Sequence, residues 1–254
     1  MRRAGLVLLV VVAIAAAACR GSSEDATGTP TALPASSSLQ SIVTSDGVRL
    51  SAHLFEADSD GRIAILSHQY GADQSSWYDG AEHLVAMGIA ALTFDFRGFG
   101  ASGGEEDPDT LATDLEAALT YARDLGYDRV LLVGASMGGT ASIVAAGGDG
   151  TPDDIDGVIA LSAPIEFGTL HAEDAAASMQ VPVLLVAGEG DTSAIDSLKE
   201  LGETAQVPED DQLVVASAAH GTDLLDSSGS QTIWDTIARF VEGIWPDVAS
   251  EASN

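Results

Sequence analysis

Short apolar strand patterns alternate with helix patterns along most of this chain, and the alternation restricts the fold more than any other feature. After a predicted hairpin at residues 41–44 and 48–55, each strand pattern is followed by a helix pattern. The later strands are predicted at residues 63–67, 90–95, 129–133, 157–161, 182–187 and 212–216, and the helices near 75–87, 110–125, 136–147, 170–179, 193–201 and 230–244. Such alternation predicts an α/β fold in which helices cover both faces of a mostly parallel sheet.

The length of the chain fits one large core. With 254 residues the chain can form a single folded domain, which we place at residues 41–246, followed by a tail at 247–254. Ligands of such sheets bind beyond the carboxyl ends of the parallel strands. Functional residues are therefore expected in the loops that follow the predicted strands.

One of these loops contains a serine flanked by glycines. Residues 134–138 read GASMG and lie between a short apolar strand pattern and an alanine-rich helix pattern. A G-x-S-x-G sequence at a strand-to-helix turn is typical of a nucleophile elbow, which holds the serine hydroxyl at its tip; the alternative is a glycine-rich turn without a role. We predict that Ser136 is a nucleophile and that the N–H of Met137 helps to form an oxyanion hole.

Two further stretches resemble motifs of the α/β-hydrolase family. Residues 67–71 read SHQYG after a predicted strand, where the family often carries His-Gly-aromatic-Gly. Residues 95–102 read DFRGFGAS and are similar to the family's Asp-x-Arg-Gly-x-Gly-x-Ser turn. Together with the elbow and a later histidine loop, the resemblance spans about residues 43–245. It implies the α/β-hydrolase fold.

The resemblance also implies roles for residues of these two motifs. The N–H of Tyr70 would be the second oxyanion donor, and His68 would brace its loop without acting as a base. Gln69 stands where the family usually has glycine. Its side chain could narrow the acyl site, or its N–H could serve in place of that of Tyr70. Asp95 and Arg97 would fix the loop beside the strand that leads to the oxyanion donor.

A serine nucleophile needs a base and an acid, which follow the serine in the order acid, then histidine, in this family. Two histidines lie downstream of the serine. His171 falls in a predicted helix and is expected at the surface, whereas His220 lies in a loop after a predicted strand. We predict that His220 is the base, the alternative being a loop histidine without a role. The acid is expected after the preceding strand, where Asp191 is favoured and Glu189 is the alternative. Helix N-capping is the other role open to Asp191.

The segment in which this family commonly inserts a lid is short here. About 20 residues separate the predicted strands that end at 161 and begin at 182, which leaves room for one short helix and no large cap domain. Compact family members of this kind include dienelactone-hydrolase-like proteins and small carboxylesterases. The expected reaction is hydrolysis of a small or accessible carboxylic ester through an acyl-enzyme on Ser136, Asp191 and His220. This chemistry requires no metal and no organic cofactor.

Other activities share the same three residues. Amide or peptide hydrolysis, acyl transfer to an alcohol and perhydrolysis all remain open. Hydrolysis of carbon–carbon bonds is disfavoured without a cap, and dehalogenases and epoxide hydrolases use an aspartate where Ser136 stands. An alternative of another class is a non-catalytic lipoprotein that retains the fold for binding.

The N-terminal residues predict export. Two arginines precede an apolar stretch that ends in small residues, so residues 1–18 are predicted to be a signal peptide. The chain's one cysteine, Cys19, follows directly. Residues 16–19 read AAAC, which resembles a bacterial lipobox with alanine where leucine is usual. We expect lipidation of Cys19. The alternative is an ordinary signal peptide and secretion.

A flexible tether is predicted after the cysteine. Residues 19–40 are rich in Ser, Thr, Ala, Gly and Pro and show no periodicity. Such a segment would hold the domain away from the outer face of a bacterial cell membrane, to which the lipid on Cys19 would attach it.

The chain is strongly acidic. It has 39 acidic and 10 basic residues and a net charge of −29. This charge repels nucleic acids and anionic headgroups, which argues against a nucleic-acid partner. We expect a solvated acidic surface; cation binding at the cell envelope is the alternative, although the sequence carries no EF-hand loop and no clustered histidine–carboxylate ligand set.

Overall fold

The computed structural model describes residues 37–147 and 154–248 of the chain. The predicted signal peptide, Cys19 and most of the predicted tether lie outside the described residues, as do residues 249–254. Within the described residues, no helix is both long enough and apolar enough to cross a membrane.

Eight strands of the described chain form one sheet. They are β1 Ser37–Val43, β2 Arg49–Phe55, β3 Arg62–Ser67, β4 Ala90–Phe94, β5 Arg129–Ala135, β6 Ile155–Leu161, β7 Val183–Gly188 and β8 Gln212–Val215. Their order across the sheet is β1-β2-β4-β3-β5-β6-β7-β8. Strand β2 runs antiparallel to both of its neighbours, and all the other pairs are parallel.

Helices cover both faces of this sheet. They are α1 Tyr78–Ala86, α2 Leu111–Asp124, α3 Met137–Ala146, α4 Ala172–Ala176, α5 Thr192–Thr204 and α6 Ser230–Ile244. Helices α1 and α6 contribute to one apolar layer, and α2 to α5 contribute to the other. Strand β3 contributes to both layers. Ile63 and Ile65 lie in one layer and Ala64 and Leu66 lie in the other, because successive side chains of a strand point to opposite faces. The α/β architecture predicted from the alternation is confirmed.

The segment between β6 and β7 differs from the prediction. A helix was expected at residues 170–179, but Glu166–Phe167 pairs with Leu170–His171 in a small hairpin, and α4 occupies only Ala172–Ala176. Gly168 at the hairpin turn has a φ of +60°, a left-handed conformation that glycine adopts without strain. The small hairpin and α4 are the helical and strand elements that the described chain has between β6 and β7, and they do not form a cap domain.

The folded domain extends beyond the predicted limits at both ends. Strand β1 begins at Ser37, where the tether was expected to continue to residue 40, because residues 37–43 pair with β2 along their whole length. At the other end, the predicted tail contains Asp247, which accepts hydrogen bonds from Arg129, and Val248, which is buried. These contacts attach the start of the tail to the domain.

Candidate active site

Ser136 lies at the sharp turn between β5 and α3. Its φ of +48° is left-handed, which costs free energy for a residue with a side chain and is typical of a nucleophile elbow. The turn is held to the sheet because Ser136 N–H donates to the carbonyl oxygen of Leu161 at 2.7 Å. A Cβ atom at Gly134 would lie 2.2 Å from the carbonyl oxygen of Gly138, and one at Gly138 would lie 2.2 Å from that of Ser67. Both glycines of the motif are therefore required by close backbone approach.

The hydroxyl of Ser136 is available for chemistry. The residue is half-buried, and within the described chain its Oγ makes no hydrogen bond. The sheet register also places the elbow beside the other predicted loop, because Ser67 of β3 pairs with Gly134 of β5. The loop that begins at His68, here called the oxyanion loop (residues 68–73), leaves the sheet at the same level as the elbow.

Asp191 and His220, the predicted acid and the predicted base, lie within hydrogen-bond distance of each other. The Nδ1 atom of His220 lies 2.5 Å from Oδ2 of Asp191, whose side chain is only 10% exposed. Oδ1 of Asp191 accepts hydrogen bonds from the N–H of Ala194 at 3.2 Å and the hydroxyl of Ser193 at 3.1 Å. Asp191 thus caps the N-terminus of α5, which is one of the two roles that the sequence left open for it, and the same carboxylate contacts His220.

The protonation of this pair follows from its surroundings. Burial alone raises the pKa of Asp191, but the hydrogen bonds from His220, Ala194 and Ser193 outweigh burial and leave the pKa below its ordinary value. An ionised carboxylate can only accept hydrogen bonds, so Nδ1 of a neutral His220 carries the proton and donates to Asp191. The lone pair of Nε2 is then free to take a proton from a nucleophile.

The other two candidates do not join this pair. Glu189 is exposed, and among the described residues it is Asp191 that accepts the hydrogen bond from Nδ1 of His220. His171 lies in the small hairpin, where its exposed ring is 3.2 Å from Oε1 of Glu166. The expectation that His171 is a surface residue is confirmed, although it lies in a strand and not in a helix.

Two side-chain contacts that the sequence did not predict hold the histidine loop, here residues 216–226. The hydroxyl of Ser162 accepts a hydrogen bond from Gly221 N–H at 3.1 Å. The side-chain oxygen of Gln69 accepts hydrogen bonds from Thr222, at 3.1 Å from the N–H and 2.9 Å from the hydroxyl. A Cβ atom at Gly221 would lie 3.4 Å from that of Ala135, so the histidine loop packs against the residue before the nucleophile. The glutamine in place of the family's glycine was the one sequence signal for this contact.

His68 braces the oxyanion loop. Its buried ring donates from Nδ1 to the carbonyl oxygen of Gln69 at 2.9 Å and accepts at Nε2 from Phe96 N–H at 3.1 Å. Burial lowers the pKa of His68, so the ring stays neutral. Within the described chain, the N–H groups of Gln69, Tyr70 and Met137 donate to no other group of the protein, which leaves all three available as oxyanion donors.

The motif at residues 95–102 fixes the backbone around this loop. Asp95 accepts from the N–H and the side-chain amide of Gln74, at 2.7 and 2.9 Å, and from Ala101 N–H at 2.9 Å. Arg97 pairs with the fully buried Asp114 at 2.7 Å and with Asp46, also at 2.7 Å. Both side chains make structural contacts, as the resemblance implied.

A cavity of about 110 Å³ opens beside the elbow and the oxyanion loop. Its apolar wall consists of Tyr70, Phe99, Pro108, Leu111, Met137 and Phe167. A larger groove of about 320 Å³ lies between β1 and α2 and is lined by none of the predicted site residues. Within the described residues, no group of three or more His, Cys, Asp or Glu side chains could hold a metal ion.

Comparison with known proteins identifies the fold. Residues 60–170 match a family model described as serine aminopeptidase, S33. Among solved structures, the esterase Pf2001 of Pyrococcus furiosus matches with a TM-score of 0.71 at 21% identity, covering 82% of this chain and 92% of that one. A hydrolase from Pseudomonas aeruginosa PA01 matches with a TM-score of 0.63 at 16% identity, covering 80% and 98%. The chain has the α/β-hydrolase fold.

Sequence relatives extend the comparison. The protein Rv2307c of Mycobacterium tuberculosis is 26% identical over 225 residues, which cover 79% of this chain and 77% of the relative. The quorum-quenching protein AidA of Acinetobacter baumannii is 32% identical over 115 residues, covering 41% and 38%. At their identities the solved structures establish the α/β-hydrolase fold alone, whereas the family match supports a hydrolase.

Proposed function

We propose that this chain is a serine hydrolase that cleaves carboxylic esters through an acyl-enzyme. In this proposal Ser136 is the nucleophile, His220 is the general base and Asp191 orients the imidazole. The observation that carries it is the Asp191–His220 hydrogen bond, in a loop packed against the residue before a left-handed Ser136. The three residues each follow a parallel strand, and such strands end at one edge of the sheet, which supports a triad of the kind that acyl transfer uses.

In the first half of the reaction, Ser136 Oγ attacks the ester carbonyl while Nε2 of His220 takes its proton. The developing imidazolium is stabilised by the ionised Asp191, and the developing oxyanion accepts from the N–H groups of Met137 and Tyr70, with that of Gln69 as the alternative. These N–H groups belong to fixed backbone, so little reorganisation is needed as charge forms. Collapse of the tetrahedral intermediate expels the alcohol, which takes the proton from His220.

In the second half, water replaces the alcohol. His220 accepts a proton from the water as it attacks the acyl group on Ser136, and the proton then returns to Ser136 Oγ as the carboxylic acid leaves. The same backbone N–H groups stabilise the oxyanion in both halves of the reaction. No step calls for a cofactor.

An ester is the favoured substrate because its alcohol leaves readily and because the described residues between β6 and β7 form no cap domain. The name of the matched family, serine aminopeptidase, makes amide or peptide hydrolysis the alternative, and acyl transfer to an alcohol uses the same intermediate. A panel of matched esters and anilides, assayed with and without an added alcohol, distinguishes the three. Faster anilide than ester cleavage, or an alcohol ester as the main product, would replace the ester hydrolase by one of these alternatives.

Covalent labelling tests the nucleophile directly. The purified full chain is treated with a fluorophosphonate probe, and Ser136→Ala is compared with Ser45→Ala, which removes an exposed serine in the β1–β2 turn. We expect the wild type and Ser45→Ala to be labelled and to cleave short esters, and Ser136→Ala to lose labelling and about 10⁴-fold or more of its turnover. Absence of labelling in a cooperatively folding wild type would instead favour the non-catalytic binding protein.

Export and membrane attachment through Cys19 are also part of the proposal. They rest on the sequence of residues 1–40, most of which lies outside the described residues. Expression of Cys19→Ser beside the wild type in a bacterial host, followed by fractionation, tests them. The variant should move from the membrane to the soluble fraction. Unchanged membrane attachment would reject Cys19 as the anchor, and retention of both proteins in the cytoplasm would reject export.

A further inference from the structure

The cavity beside the oxyanion loop has the position, size and charge of a selective binding site for one part of the substrate. We propose that it binds the acyl group of the ester and limits that group to short, uncharged chains of up to about four carbons. The proposal rests on the proposed function and adds the substrate class to it.

The position of the cavity assigns it to the acyl group. Tyr70 and Met137, whose backbone N–H groups are the proposed oxyanion donors, both line it. None of the described residues that line it belongs to the histidine loop or to the loop of Asp191. The leaving alcohol must lie near His220 to receive its proton, so the substituent on the other side of the carbonyl carbon, the acyl group, enters the cavity.

The volume of the cavity sets the chain length. An engineered apolar protein cavity of about 150 Å³ holds benzene, which has six carbon atoms. In proportion, a cavity of about 110 Å³ holds about four carbon atoms. A longer acyl chain would either leave its end in water or push the wall apart.

Contacts between aromatic rings hold one part of the cavity wall in place. Phe167 comes from the small hairpin, and its ring lies 5.9 Å from that of Tyr70, which in turn packs edge-on against Phe99 at 5.7 Å. The hairpin is pressed against the turn before α2, because a Cβ atom at Gly168 would lie 2.4 Å from that of Pro108. These contacts hold Phe167 in the wall, and the proposal assigns to its side chain the limit on the length of the acyl group.

The charge around the cavity disfavours acyl groups that carry a carboxylate. Glu106 and Asp107 line it and are exposed, and Glu106 accepts a hydrogen bond from the Tyr70 hydroxyl at 3.1 Å. The one cation that lines it, Arg97, already pairs with Asp114 and Asp46. A carboxylate on the acyl group would be repelled by Glu106 and Asp107, and Arg97 would not offset this repulsion because it is already paired.

Acyl-length profiles test the proposal. The kcat/KM values of the full chain are measured with 4-nitrophenyl esters of acetic, butyric, hexanoic and octanoic acids, and with the monoester of succinic acid. We expect a maximum at acetate or butyrate, and values about 10-fold lower for hexanoate and for the succinate monoester. A maximum at octanoate, or a succinate monoester cleaved as fast as butyrate, would overturn the proposal.

Variants of Phe167 test whether this residue limits the length of the acyl group. Phe167→Ala and Phe167→Leu should raise the hexanoate-to-butyrate ratio of kcat/KM, by about 10-fold for alanine and less for leucine, and Phe167→Trp should move the maximum to acetate. Trp234→Ala is the matched control, since Trp234 is a half-buried aromatic residue of α6 that stacks on His83 and does not line the cavity. Its ratio should equal that of the wild type.

The outcomes separate this proposal from the proposed function. In one outcome, Ser136 is labelled and short esters are cleaved, but folded Phe167 variants keep the wild-type ratio or respond only to the length of the alcohol. The proposal that the cavity binds the acyl group is then overturned, and the proposed hydrolase activity stands. If no ester is cleaved and Ser136 is not labelled, both are overturned. The leucine variant keeps the test decisive if the alanine variant does not fold.

Discussion

The side-chain oxygen of Gln69 accepts two hydrogen bonds from Thr222, one from its N–H at 3.1 Å and one from its hydroxyl at 2.9 Å. The contact joins the oxyanion loop to the histidine loop, which are 153 residues apart in the chain. A glycine at position 69 could not make it. Gln69, which stands where the family usually has glycine, thus connects the loop of the proposed oxyanion donors to the loop that carries His220.

We expect that loss of this contact lowers kcat by about 10-fold with little change in KM, because a misplaced imidazole slows proton transfer and leaves ground-state binding intact. Gln69→Ala removes both hydrogen bonds, Thr222→Val removes the one from the hydroxyl, and the double variant completes a cycle. The two changes should be strongly non-additive, with a coupling of about 1 kcal/mol in kcat/KM. The rate of fluorophosphonate labelling provides a second readout.

Conservative variants separate positioning from stability. Thr222→Ser keeps both donors and Gln69→Glu keeps an acceptor, so both should retain most of the wild-type kcat. A contact that only stabilised the fold would lower the unfolding temperature of Gln69→Ala and leave kcat unchanged in folded samples. Additive losses in the cycle would show that the two residues act independently.

The sequence predicted the fold and the triad candidates because their signals are local. Strands such as β3 are apolar throughout, and the glycines on either side of Ser136 follow from the close backbone approach at the elbow. Asp191 and His220 each follow a predicted strand, and parallel strands bring their carboxyl ends to one edge. These inferences needed only strand order and loop position.

The sequence did not predict the contacts that depend on three-dimensional packing. Ser162 binds Gly221, and Gln69 turns towards Thr222, because loops from β3, β6 and β8 meet above the sheet. No local pattern specifies such a meeting. The second strand of the small hairpin was predicted as the start of a helix and the first was not predicted at all. Each strand has only two residues, and pairing over so short a length leaves no periodicity to detect.

Asp191→Asn should reduce kcat by about 10³- to 10⁴-fold. The amide can present its N–H₂ to Nδ1 of His220, which favours the tautomer with the proton on Nε2 and removes the lone pair that takes the serine proton. Glu189→Gln is the matched control two residues away, and its exposed side chain leaves the rate unchanged. Steady-state kinetics on one ester suffices. A large loss in Glu189→Gln with none in Asp191→Asn would assign the acid to Glu189.

Asp46 should make the stability of the domain fall in acid. Its hydrogen bonds from Arg97, and then from Thr44, lower its pKa from 3.8 to about 2 in the folded protein. The unfolded chain therefore binds a proton more readily, so the stabilisation is complete above about pH 4 and is lost as the pH falls to about 2. Unfolding midpoints of the wild type and Asp46→Asn should differ most above pH 4 and converge towards pH 2. A constant difference across this range would contradict the assignment.

Two glycines with opposite surroundings test the packing of the elbow. A Cβ atom at Gly138 would lie 2.2 Å from the carbonyl oxygen of Ser67, the residue before the oxyanion loop, whereas one at Gly243 in α6 would meet nothing within 4 Å. Gly138→Ala must therefore move α3 or the end of β3. We expect it to cost at least about 2 kcal/mol of unfolding free energy and most of the activity.

Gly243→Ala should have the opposite effect on stability. It should stabilise the domain by about 0.5–1 kcal/mol, because alanine restricts the unfolded chain and fits an exposed helical position, and it should leave kcat unchanged. Denaturant unfolding and steady-state kinetics of both variants make the comparison. If Gly138→Ala were as stable as the wild type, the elbow would not pack against β3 as described. The placement of the oxyanion loop beside Ser136 would then also be wrong.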